Sequence, residues 1–116
     1  MARLLFHITT GPENTTKGAL GLLVARTAQE SGHDVVVFFA GDGVDYLRAE
    51  TREAASGVGI GSIEEHFDAL VAGDARLFGS GMSAKARGVT SDGNVELVKP
   101  PRLVELIVEA DKVVVY

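Results

Sequence analysis

Two serines, Ser80 and Ser83, stand three residues apart directly after a short apolar run, Ala75 to Phe78. The stretch that contains them, FGSGMSAKARG, is typical of the end of a strand followed by the first turn of a short helix. A serine there can be a nucleophile, a ligand for an anion, or the cap that satisfies the free N–H groups of the helix. This stretch alone leaves all three roles open.

A nucleophilic serine needs a general base, and the histidines are the first candidates. His7 lies near the carboxyl end of an apolar run and could meet Ser80, with Asp42 as the third member of a hydrolase-like trio. His33 lies at the opposite edge, and His66 is predicted on the solvent side of a helix. However, GSGMS lacks the G-x-S-x-G pattern of a nucleophile elbow, and a strand histidine is more often a packed core residue. Catalysis by Ser80 with His7 is therefore the alternative hypothesis.

Short β-branched runs that alternate with helical segments indicate an α/β fold. The clearest run is apolar from Val35 to Ala40, so both of its faces must be covered. Strands are predicted at residues 3–9, 34–40, 75–78, 95–98 and 112–116. Helices are predicted over 15–31, 62–73 and 81–87, with a last one starting near Pro100 whose core face is Leu103, Leu106, Ile107 and Ala110. The segment between Arg48 and Gly61 is polar and then glycine-rich and is predicted to be a mobile excursion. We therefore predict one domain, residues 1–116, built as a three-layer α/β/α sandwich with a mainly parallel, flavodoxin-like sheet of about five strands.

The loops that follow the strands of a parallel sheet gather at one edge, where ligands bind. Here each of these loops contains glycine, and two of them lead into helix N-termini, whose N–H groups attract anions. Loops of this kind are commonly polar and glycine-bearing in any α/β protein, so the pattern predicts where a site would lie but not which ligand it binds. The candidate ligand-binding residues are Thr10, Gly11, Asn14, Asp42, Ser80, Gly81, Met82, Ser83 and Arg87.

Composition excludes several classes of function. The chain of 116 residues has no cysteine, which excludes disulfides, thiolate metal sites and thiol catalysis. A net charge of −5 without a basic patch argues against nucleic acid. No apolar stretch approaches the roughly 20 residues of a membrane helix and no signal peptide is recognisable, so we expect a cytoplasmic protein. No residues have metal-ligand spacing, and GPENTTKG departs from a phosphate loop at Thr16 and Gly18, so no metal and no cofactor are expected.

Four segments together resemble the DsrE/DsrF-like proteins: HITTGPENTTKGALGLLVARTA, GHDVVVFFAGDGV, GSGMSAKARG and ADKVVVY. The resemblance implies a DsrEFH-like fold and small subunits that assemble into dimers, trimers or hexamers. It also implies that Ser80 stands where the best-known members carry sulfur as a cysteine persulfide, and Ser83 where some have a second cysteine. A serine hydroxyl does not ionise near neutral pH and cannot hold a persulfide, so this sulfurtransferase chemistry is not carried over.

The leading prediction is a non-catalytic homodimer, homotrimer or homohexamer that binds a small anion or a partner protein at Ser80–Ser83. A serine hydrolase-like enzyme and a purely structural subunit with an empty site are the alternatives. An apolar content of 46% and a second apolar line on the last helix, Val104 and Val108, favour self-association.

Overall fold

A parallel five-stranded sheet organises the fold. The structure, a computed structural model, describes residues 1–116. The strands are β1 (Arg3–Ile8), β2 (Asp34–Phe39), β3 (Ser56–Gly57), β4 (Gly61–Ser62), β5 (Arg76–Ser80), β6 (Glu96–Val98) and β7 (Lys112–Val115). Five of them form the sheet in the order β6-β5-β2-β1-β7, with every neighbouring pair parallel, and β3 and β4 form a separate antiparallel hairpin. The predicted fold class and number of sheet strands are confirmed.

Helices cover both faces of this sheet. They are α1 (Thr15–Glu30), α2 (Ala49–Ala54), α3 (Ile63–Ala72), α4 (Gly81–Arg87) and α5 (Pro100–Glu109), with 3₁₀ segments at Pro12–Asn14 and Gly41–Leu47. Side chains of α1 and α3 pack with one face of the sheet in a cluster of 19 buried residues. Leu106 of α5 joins a cluster of five on the opposite face. One face is therefore well covered, whereas the other has a single helix.

Strand β2 lies in the middle of the sheet, and both of its faces are apolar. Val35, Val37 and Phe39 belong to the larger cluster, and Val36 and Phe38 to the smaller one. Successive side chains of a strand point to opposite faces, so an uninterrupted apolar run suits a strand that is covered on both sides. Because β1 and β5 both pair with β2 in parallel, the carboxyl ends of the three strands lie at one edge of the sheet. The loops that follow these strands form the candidate site.

Helix α1 approaches the sheet closely through its small residues. A side chain at Gly21 would meet Ile8 Cδ1 at 2.7 Å and Tyr116 Cβ at 2.9 Å. At Gly18 the ring of Tyr46 occupies the corresponding space. Glycine inside a helix costs about 1 kcal/mol relative to alanine, and this close packing offsets that cost. Burial raises the pKa of Tyr46 to about 12, with a smaller contribution from nearby carboxylates, so its hydroxyl stays neutral.

Two expectations from the sequence, one on each face of the sheet, are corrected by the structure. His66 is buried rather than solvent-facing, because the segment that precedes α3 folds back over the helix. One ring nitrogen, Nε2, lies 2.7 Å from the carbonyl oxygen of Ile60, and the other, Nδ1, lies 3.4 Å from Arg26 Nη1. Ile107, which was predicted to face the core, is exposed on α5.

Candidate functional site

The loops after β1, β2 and β5 meet at the carboxyl edge of the sheet. Ser83 Oγ accepts a hydrogen bond from the backbone N–H of Gly41 at 3.0 Å, which joins the loop after β5 to the loop after β2. The backbone of Gly11, after β1, lies directly against the backbone of Asp42. Tyr116 is held at the same edge, because Thr9 N–H donates a hydrogen bond to the backbone oxygen of Tyr116 at 2.7 Å.

Ser80 caps the N-terminus of α4. Its Oγ accepts a hydrogen bond from Ser83 N–H at 3.1 Å, and its backbone is extended, with φ −70° and ψ 115°. This is the geometry of an N-cap serine, which supplies an acceptor to a helix N–H that has no partner inside the helix. Gly88, with φ 64°, ends the helix in the left-handed conformation. The serine hydroxyl therefore has a structural task at the position where a nucleophile could stand.

Replacing Ser80 with alanine is expected to lower the free energy of unfolding by about 1 kcal/mol, the usual effect of losing an N-cap. Chemical denaturation of the purified protein measures this change. Ser56→Ala, on the exposed side of β3, is the matched control and should change stability by less than about 0.5 kcal/mol. Equal effects of the two substitutions would show that the cap contributes nothing.

The charged groups at this edge are largely paired with one another. Arg87 Nη2 makes an ion pair with the carboxylate of Asp42, and Arg87 Nε lies 4.0 Å from Asp45 Oδ1. Arg48 Nη2 donates a hydrogen bond to the carbonyl oxygen of Arg87 at 2.6 Å. This bond satisfies a backbone carbonyl at the C-terminal end of α4. Met82, in the first turn of α4, is 67% exposed. The arginines at this edge are therefore paired with carboxylates, and the thioether side chain of Met82 is exposed to solvent.

Thr10, Gly11 and Asn14 form a turn whose hydrogen bonds are satisfied locally. Asn14 Oδ1 accepts from Lys17 N–H at 3.1 Å and caps α1. Gly11 N–H donates to Glu13 Oε1 at 2.8 Å, which places a carboxylate on the donor that an anion would use. Thr10 is buried beneath the turn. Thr10 and Gly11 are therefore closed to an anion, whereas Asn14 is exposed and uses its Oδ1 for the cap.

His7 and Ser80 are not brought together. His7 lies opposite Phe38 on β2, and Phe38 lies opposite Phe78 on β5. Ser80 is thus two strands away and two residues further along, a Cα–Cα separation of about 12 Å from standard sheet spacings. The imidazole instead packs edge-on against Phe38, with ring centroids 5.6 Å apart, and its Nε2 is buried without a hydrogen-bond partner. Asp42, the third member of the trio, is held by Arg87.

Burial of His7 gives a pH dependence with a definite sign. Desolvation lowers the pKa of its imidazole below the ordinary value of about 6.5. As the pH falls below about 6.5, the unfolded chain takes up a proton that the folded protein resists, so stability is lost. We expect the free energy of unfolding to fall between pH 7 and the lower folded-state pKa, and His7→Gln to remove that part of the slope. Denaturation curves over this range measure it, and an unchanged slope in the variant would exclude His7 as its source.

Sequence reasoning did not single out Gly41, Asp45 or Arg48, which organise the site. Gly41 contributes a backbone N–H, which carries no signature in the sequence. Asp45 lies in the 3₁₀ segment Gly41–Leu47 and Arg48 directly follows it, and the apolar pattern there matches neither a helix nor a strand.

No group of three or more histidine, aspartate or glutamate side chains is arranged to hold a metal ion. No helix is both long enough and apolar enough to cross a membrane.

The strand order β6-β5-β2-β1-β7, with helices on both faces of a parallel sheet, defines a small α/β protein. Comparison with solved structures supports this class: the YchN protein of E. coli superposes with a TM-score of 0.84 at 18% sequence identity, covering 100% of both chains. Residues 2–116 match the model of the DsrE/DsrF-like family, and the chain belongs to that family, which is associated with sulfur relay. A comparison with curated proteins gives no significant match.

Proposed function

We propose that this chain is a non-catalytic DsrE-like subunit that self-associates and uses the Ser80–Ser83 turn to bind a partner. The observation that carries the proposal is that the Ser80 hydroxyl caps α4 and has no histidine beside it. Its Oγ accepts from Ser83 N–H, and its position lies about 12 Å from the only histidine on the sheet face that it shares. A serine that lacks a neighbouring base is a poor nucleophile. With no cysteine in the chain, persulfide transfer on this subunit is also excluded.

A protein partner is favoured over a small anion at this turn. The Asp42 carboxylate neutralises Arg87, and Glu13 occupies the Gly11 N–H, so few donors remain for an anion. Met82, by contrast, offers a flexible apolar contact, and methionine is common on binding surfaces that adapt to a partner. We therefore assign Met82 as the central contact and the capped serines as its rigid support.

Self-association is supported by an apolar surface on the thinly covered face of the sheet. We call it the α5–β7 patch, and its members are Val104, Ile107, Val108, Val113 and Val115. Val113 and Val115 lie opposite Leu5 and His7 of β1, so all four side chains share the face covered by α5. Exposed apolar surface of this kind is typical of protein interfaces. A second copy of the chain is the proposed occupant, as a homodimer, homotrimer or homohexamer.

Native mass spectrometry of the protein from its source tests both parts of this proposal. We expect a mass of two, three or six copies of the 12.2 kDa chain, without a covalent addition on Ser80. The same measurement detects any small molecule that the protein retains. A covalent adduct mapped to Ser80 would contradict the non-catalytic assignment, and a monomer at micromolar concentration would contradict the assembly.

A further inference from the structure

One edge of the five-stranded sheet is open and apolar. Strand β7 ends the sheet on one side and pairs only with β1. Three consecutive valines follow Lys112, and two of them, Val113 and Val115, are 41% and 61% exposed. An exposed apolar edge strand is a template for pairing with another strand. The backbone of β7 is therefore a candidate contact in its own right.

The opposite edge of the sheet carries the features that prevent such pairing. Strand β6 has only three residues, Glu96–Val98. Glu96 places a charge on this strand, and Lys99 and Pro100 follow it directly. Short length, charged side chains and proline are the usual protection of an exposed edge. In β7 the charged residues are confined to its start, so the two edges of the sheet are not equivalent.

The backbone of β7 alternates in direction between β1 and the open edge. Tyr116, directly after β7, bonds inward with both of its backbone groups. Its N–H donates to the oxygen of His7 at 3.0 Å, and its oxygen accepts from Thr9 N–H at 2.7 Å. In a parallel ladder, residues that bond to one neighbour alternate with residues that point away from it. The N–H and C=O groups of Val113 and Val115 therefore point to the open edge, where no strand lies beside them.

The side chains around this open edge belong to the α5–β7 patch. Arg102, on one flank of α5, stacks over the ring of Phe78 on β5, 5.4 Å from its centroid. Val104 and Ile107 lie on the opposite flank of the helix, because successive residues of an α-helix are turned by about 100°. That flank faces away from β5 and toward β7. The open backbone edge and the apolar patch thus form one continuous surface.

We propose that two copies of this chain pair through β7 in antiparallel orientation and join their five-stranded sheets into one, an inference that rests on the self-association proposed above. In the register with the most hydrogen bonds, Val113 of each copy lies opposite Val115 of the partner subunit. Each of these two pairs exchanges two hydrogen bonds, and the Val114 residues of both copies meet at the twofold axis. A second copy fits because a twofold contact uses the same edge on both subunits. The outer edges of the joined sheet are then the two protected β6 strands.

Antiparallel pairing also places the two candidate sites. The strands of the two copies run in opposite directions, so the two Ser80–Ser83 turns lie at opposite ends of the joined sheet. Each turn then remains open to a partner of its own. A dimer, and a hexamer with twofold axes, allow this contact. A ring of three copies does not allow it, because a twofold contact cannot close a three-membered ring.

Amide hydrogen exchange of the full chain, followed by NMR at several protein concentrations, tests the pairing. The amides of Val113 and Val115 should exchange at least about tenfold more slowly when the chain passes from mostly monomeric to mostly assembled. Val114, whose amide already points to β1, is the internal control and should change much less. The native sequence gives this result, so no variant is needed for it.

Two substitutions at Val113 separate backbone pairing from apolar contact. Val113→Pro removes the outward N–H and keeps an apolar side chain, and proline is tolerated on an edge strand where the N–H faces solvent. It should weaken assembly at least about tenfold in sedimentation velocity, because each dimer loses two hydrogen bonds. Val113→Thr keeps the N–H and the branched shape and should weaken assembly by no more than about threefold. Circular dichroism verifies that both variants remain folded.

The outcomes distinguish this pairing from self-association in general. Assembly without slower exchange of the Val113 and Val115 amides, equal effects of the two substitutions, or a trimer would each overturn the pairing and leave the proposed self-association intact. A chain that stays monomeric at micromolar concentration would overturn both. Protection of these amides that appears only when a different protein is added would also overturn the pairing, and it would assign the β7 edge to that protein.

Discussion

Replacing Gly43 with alanine is expected to lower the free energy of unfolding by about 3 kcal/mol, at the upper end of ordinary overpacking effects. A Cβ at this position would lie 3.0 Å from the carbonyl carbon of Ile8 and still closer to its oxygen. These are backbone atoms at the end of β1, so no side-chain rotation can relieve the overlap. The end of β1 and the 3₁₀ segment would have to separate, and the Gly11–Asp42 contact would open with them.

Gly81→Ala is the matched control for this prediction. A Cβ there would meet its nearest atom, Val98 O, at 3.4 Å, which is an ordinary contact distance. Alanine is also the better helix former in the first turn of α4, so we expect a change of less than about 0.5 kcal/mol. Urea denaturation of both variants measures the difference. Equal stabilities would mean that β1 and the 3₁₀ segment are not packed as closely as described.

Val108→Asp is expected to weaken self-association by at least about tenfold. Val108 is 78% exposed on α5 and projects from the α5–β7 patch. Burying an unpaired carboxylate in an apolar contact costs several kcal/mol, whereas an exposed aspartate costs the isolated subunit little. Sedimentation velocity over a range of concentrations measures the change, and circular dichroism verifies that the subunit remains folded.

Val58→Asp is the corresponding control, since Val58 is an apolar residue of similar exposure, 85%, on the β3–β4 hairpin. It should leave the association constant within about twofold of the wild type, because it lies outside the patch. A wild-type protein that sediments as a single 12.2 kDa species at micromolar concentration would contradict the proposed assembly. If Val58→Asp dissociates the protein and Val108→Asp does not, the interface lies on the hairpin.

Much of the fold could be predicted because its strongest signals are local. The unbroken apolar run of β2 requires a central strand, and Ser62 with Glu65 three residues later marks the start of α3. Gly88 ends α4 in the left-handed conformation that glycine favours. The convergence of the loops at one edge of the sheet follows from parallel strands alone. These features arise from residues that are close together along the chain, so their patterns can be recognised in the sequence alone.

The parts that could not be predicted depend on contacts between distant segments. His66 has a polar sequence context, and only the return of Ile60 over α3 buries it. The segment 48–61 was predicted as a mobile excursion because it has no continuous apolar face, yet it contains α2, the β3–β4 hairpin and the buried Arg52. Its mobility stays a prediction. The burial of Arg52 arises from the ring of Phe67 and the carbonyl oxygen of Tyr46, neither of which a local pattern reveals.

The assignment of Ser80 as a helix cap is tested most directly by its reactivity toward a serine-directed reagent. The folded protein is incubated with a fluorophosphonate, and its intact mass is measured alongside that of Ser80→Ala. We predict no adduct on Ser80 in the native protein, because the hydroxyl caps α4 and no imidazole lies within reach. A stoichiometric adduct that maps to Ser80, and that is absent from both Ser80→Ala and His7→Gln, would contradict the non-catalytic assignment and establish a serine hydrolase-like site.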